Sequence, residues 1–87
     1  MEQYENLSGK SDVVSFMCGP NFIVVVLKDA GDQNHFLYDS RKPGHSAVET
    51  MQDLARSGRG LGTYIKETHH LSYARKAGSL SDLGLNN

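Results

Sequence analysis

The 87-residue chain contains no tryptophan, two prolines and one cysteine. A lone thiol at Cys18 cannot close an internal disulfide and leaves no second sulfur for a cysteine-based zinc site. Cys18 therefore reads as a small hydrophobe near a strand end. No stretch approaches the roughly 20 consecutive apolar residues that span a bilayer. The first ten residues, MEQYENLSGK, are acidic and polar and lack the basic-then-apolar order of a secretory signal. A cytoplasmic protein with no membrane partner is expected. A strong net charge is missing as well, since nine bases against ten acids leave −1.

The charge is nevertheless unevenly placed. Residues 1–40 carry six acids and two bases, whereas residues 41–76 carry seven bases and three acids. A polyanion, if one binds, is drawn to the second of these segments. At 38% hydrophobic residues, the composition is that of a globular protein, and a chain this short supports one core, burying roughly 60–65% of its unfolded surface.

Residues 1–10 read as a flexible lead-in. VVSFMC, within Asp12–Cys18, is rich in β-branched and aromatic residues and predicts a strand, stopped by Gly19-Pro20-Asn21. Phe22–Leu27, FIVVVL, is the most apolar run. Bounded by turn residues, it predicts a central strand covered on both faces. The second cover must come from the helix and tail or from another subunit, and this is the ground for expecting a homo-oligomer. His35–Asp39, HFLYD, predicts a third strand with Phe36 and Tyr38 on one face. Ser46 and Glu49 have the spacing of a capping box, and the helix they introduce buries Val48, Met51, Leu54 and Ala55 as a stripe. Gly58 ends it in the left-handed conformation. A short helical turn follows over Leu61–Lys66, and a further strand or extended segment is expected at His69–Tyr73. Residues 77–87, with Leu80, Leu83 and Leu85, read as a tail that is mobile or docks on a partner subunit. The expected architecture is α+β, a three- to four-stranded antiparallel meander with one main helix packed across it and a short second helical turn, in a single domain over residues 11–76.

Within ARSGRGLGTYIK, residues 55–66, the glycines Gly58, Gly60 and Gly62 alternate with Arg56 and Arg59. Closely spaced glycines let backbone N–H groups approach an anion, and guanidinium groups add charge-assisted bonds. The segment matches no P-loop or dinucleotide fingerprint, and a helix stop with a tight corner explains the glycines equally well. Phe36 and Tyr38 can stack bases if their face is open, or form core if a helix covers it. Arg41, Lys42, Lys66, Arg75 and Lys76 are candidate phosphate contacts. His69 and His70 are adjacent and point in different directions, which makes a poor chelate. No metal, cofactor or catalytic residue is expected.

Several short motifs resemble the KTSC domain, a module named after the C-terminal region of some lysyl-tRNA synthetases that also occurs free-standing in bacteria and phages. Its Tyr-x-Tyr is similar to Phe36-Leu37-Tyr38. Its helix ending in Ala-x-Ser-x-Gly is similar to Leu54-Ala55-Arg56-Ser57-Gly58, and its Ile-Lys or Ile-Arg with a later Tyr is similar to Ile65-Lys66 and Tyr73. The resemblance covers about two-thirds of the chain and implies a three-stranded antiparallel meander with a helix across it, no established enzyme activity, and a suspected role in binding RNA or other nucleic acid. Two functional classes follow. One is a noncatalytic module for a phosphate-bearing ligand, either nucleic acid (RNA favoured) or a nucleotide. The other is a small phage-type anti-defence protein that oligomerises and sequesters a nucleotide signal or blocks a host protein.

Overall fold

In the computed structural model, which describes residues 2–7, 9, 11–28, 30–68 and 73–85, the chain is an α+β domain. Among the described residues, β1 (Glu2–Gln3), β2 (Val13–Cys18), β3 (Phe22–Leu27), β4 (His35–Asp39) and β5 (Arg75–Ala77) form one antiparallel sheet in chain order. Between β4 and β5 lie α1 (His45–Ser57) and α2 (Leu61–Thr68).

The apolar run in β3 is covered on both faces. Ile23 and Val25 join Phe16, Tyr38, Val48, Met51, Leu61 and Ile65 in the core on the helical side. Val24, also fully buried, packs on the opposite face with Ala77 and Leu83, and Met17, Phe22, Leu37, Leu80 and Leu85 surround them. The second cover is thus the chain's own segment after β5, which forms a 3₁₀ turn at Ser81–Leu83. The Arg75 guanidinium holds this segment by donating to the carbonyl oxygens of Asp82 and Leu83, at 3.2 and 3.4 Å. Ala77, Leu80, Leu83 and Leu85, in the segment expected from the sequence to be mobile or to dock on a partner subunit, pack on the chain's own sheet. A covered β3 needs no second subunit to explain its composition.

A bulge shapes β2. Val13 pairs with Leu27 and Ser15 with Val26, leaving Val14 as the extra residue, 44% exposed. Strand faces alternate every residue, so without the bulge Val13 and Phe16 would point to opposite sides; the inserted residue turns both into the helical core.

Two sequence expectations are corrected in the connections. The capping box does not form: α1 begins at His45 behind Gly44, with no side-chain cap. Entry is set earlier, by the Asp39 carboxylate, which accepts from the N–H groups of Arg41 and Lys42 at 2.9 and 3.0 Å. Glu49 instead meets His45 Nε2 at 2.7 Å, one turn back on the exposed face. The lead-in is also packed rather than loose over residues 2–7. β1 pairs with β2, the Tyr4 N–H donates to Val14 O at 3.0 Å, and the Tyr4 ring is buried in the core. The further strand is Arg75–Ala77; His69–Ser72, where it was expected to start, lie outside the described residues.

The buried stripe of α1 is the one its spacing predicts, with Val48, Met51 and Ala55 buried and Leu54 partly so. Gln52, on the face expected to be wet, is half-buried. Its Nε2 donates to Gly19 O at 2.9 Å and Phe22 O at 2.8 Å, fastening α1 to the β2–β3 turn.

Candidate functional site

The corner between α1 and α2 is built by Gly58. It adopts φ 79°, ψ 10°, and its N–H donates to the carbonyls of Ala55 and Leu54, closing the helix. Its own carbonyl accepts from the Leu7 N–H at 2.7 Å. The Leu61 N–H, in the first turn of α2, donates to the Tyr4 hydroxyl at 3.2 Å. A Cβ at Gly58 would sit 2.8 Å from the Cβ of Glu5, and Ser11 lies against Gly62. The glycines therefore admit Glu5, Leu7 and Ser11 of the chain itself. Gly58 is buried with its polar groups engaged, which removes it as a direct anion cradle; Gly60, at φ 87°, remains exposed.

Arg56 and Arg59 stand exposed on either side of this corner. Arg56 lies within electrostatic reach of Cys18. Burial pushes the Cys18 thiol above its ordinary value, Arg56 opposes the shift, and Glu2 reinforces it. The thiol is thus held protonated.

The remaining cations do not converge on the corner. Arg41 and Lys42 precede α1, whose 13 residues put them about 20 Å from Arg56 and Arg59. Lys66 lies in the last turn of α2. Arg75 serves the tail clamp, so its guanidinium is already spoken for. All seven Arg and Lys residues of the 41–76 segment are nonetheless exposed. Among the described residues, none is in ion-pair contact with a carboxylate; the ion pair present is His45–Glu49.

The aromatic pair on β4 is split by depth. Tyr38 is 1% exposed, and burial, with the Tyr73 hydroxyl nearby, pushes its phenol up to about 12. It is core under the helices and offers no face to a base. Phe36 is only half-buried and meets Tyr73 edge to face, with centroids 5.2 Å apart and planes at 64°. Lys76, opposite Phe36 in the β4–β5 register, places Nζ 5.8 Å from the centre of the Tyr73 ring. From the sequence, Lys76 reads only as a phosphate contact, and Tyr73 has no site role; the ring and the ammonium are brought together by the β4–β5 register. The signal for this pairing is the alternation of an edge strand at 75–77, which puts Lys76 on the Phe36 face.

Among the described residues, no group of three His, Cys, Asp or Glu converges as a metal site, and no helix is long and apolar enough to cross a membrane. The fold and this surface define a small α+β domain whose exposed cations on and around the helices and last strand have no carboxylate partner among the described residues. Comparison with protein-family models, curated proteins and solved structures gave no match.

Proposed function

We propose that this chain is a noncatalytic, KTSC-like binding module for a phosphate-bearing ligand, with nucleic acid, RNA above all, ahead of a free nucleotide. The observation that carries the reading is the set of solvent-facing cations at 41–76 without carboxylate partners among the described residues. Charges left unpaired at a surface cost little there and are available to phosphates, whose contacts release counterions. Their spread favours an extended polyanion. Arg41 and Lys42 at one end of α1 and Arg56 and Arg59 at the other are too far apart for one nucleotide, but a strand several nucleotides long can span them.

Fluorescence anisotropy with a labelled single-stranded RNA at increasing salt tests this reading. The log of the association constant should fall linearly with log salt, by about 0.7 per phosphate contacted. Lys42→Ala and Arg56→Ala plus Arg59→Ala should each flatten that slope while the fold persists. Absence of binding at low salt, or binding indifferent to salt, sinks the proposal. An unchanged slope in the double arginine variant removes the corner from the surface.

A further inference from the structure

We infer that Tyr73, with Phe36 beneath it and Lys76 over it, is a base-stacking subsite that selects single-stranded over double-stranded nucleic acid. The inference rests on the nucleic-acid reading above and assigns it a place where bases, rather than phosphates, are held.

Three observations converge on this patch. Phe36 and Tyr73 are both half-buried, so each is anchored on the core while keeping ring surface at the rim. Their edge-to-face contact, 5.2 Å between centroids, fixes the orientation of the Tyr73 plane; a base meeting it has little side-chain freedom to freeze. Lys76 Nζ already lies 5.8 Å from the ring centre, on a residue that is itself exposed.

A cation over an exposed ring is a modest interaction, weaker than the stacking of a base on the same ring. An incoming base would displace the ammonium, which is tethered three residues along the chain and free to swing onto the phosphate next to that base. The exchange replaces one contact with two and needs no backbone movement. Arg75, on the other face of β5 with its guanidinium on the tail, does not compete for the position. Bases within a duplex have their faces occupied by neighbours, so the subsite serves unpaired nucleotides.

The absence of tryptophan from the chain makes the test direct. Tyr73→Trp creates a single indole reporter that keeps a stacking face. An oligouridylate of about ten nucleotides should bind this variant at least as well as the wild type and quench its fluorescence, while a duplex of matched charge should leave the emission unchanged. Tyr73→Leu, which keeps apolar bulk on Phe36, should lose about 5- to 100-fold in oligouridylate affinity and bind the duplex as before, with thermal unfolding reporting that it folds. Should Tyr73→Leu bind oligouridylate like the wild type while the salt dependence persists, the subsite is refuted and the polyanion reading survives. Equal weakening toward single strand and duplex would likewise overturn it. A wild-type protein that binds neither probe at low salt ends both.

Discussion

The Tyr4 hydroxyl accepts a hydrogen bond from the Leu61 N–H at 3.2 Å, a buried link between residues 57 positions apart. The first N–H groups of a helix have no partner within it, and α2 meets this need with a side chain from the start of the chain. Tyr4→Phe keeps the ring and removes the acceptor, so it should destabilise the fold by about 1–2 kcal/mol. Tyr4→Ala also empties the ring's place in the core and should cost about 3–5 kcal/mol. Urea unfolding measures both, and a Tyr4→Phe variant as stable as the wild type would show that the hydroxyl does not hold the corner.

Gly58 and Gly31 separate backbone strain from close packing. Their φ angles are nearly equal, +79° and +76°, but a Cβ at Gly58 meets Glu5 while one at Gly31 meets nothing within 4 Å. Gly31→Ala should cost about 1 kcal/mol through its backbone alone. Gly58→Ala should cost roughly 2–3 kcal/mol, because the lead-in must shift as well. Equal losses in thermal unfolding would mean that the contact of residues 5–7 with the corner adds nothing.

Buried Tyr38 gives the fold an alkaline limit. Its phenol is pushed up to about 12 from an ordinary 10, so in that window the unfolded chain releases a proton that the folded chain keeps. Stability from this group is fully present below pH 10 and is lost as pH rises toward 12, by about 1.4 kcal/mol per pH unit. Denaturant midpoints compared between pH 9 and 11.5 should fall less for Tyr38→Phe than for the wild type; parallel decline in the two proteins would contradict the assignment.

Leu83 is 4% exposed on the second face of the sheet. Leu83→Ala should cost about 2–4 kcal/mol through lost contact with Val24 and Ala77 and should increase binding of an apolar dye. A variant that unfolds at the wild-type urea midpoint would mean that the tail is not part of the folded unit.

Local chemistry made much of this fold legible. FIVVVL lies between turn residues and has no alternative to a doubly covered strand, and Gly58 stands where only a left-handed residue closes the helix without strain. Ser46 and Glu49 misled because a capping box is a local pattern, whereas α1 starts where Asp39 and Gly44 fix the chain's entry. Tyr4 sits in a polar stretch, and what buries it is Leu61 and its neighbours, too distant in the sequence to be seen from residue 4. The candidate surface was legible only as a charge bias, and its geometry was not. Pairing Lys76 with Phe36 requires the register of two strands separated by both helices, and the burial of Tyr38 requires knowing where those helices lie.

The two covers of β3 arrive at different times. Its flanking strands and α1 are complete by residue 57, but Val24 stays open to water until residues 80–85 join the sheet. A nascent chain that has not yet reached Leu83 therefore displays an apolar strip flanked by paired strands, the kind of surface that draws growing chains together. Closure of the second face during synthesis consequently waits on Leu80, Leu83 and Leu85, and a chain interrupted just before them would leave Val24 uncovered.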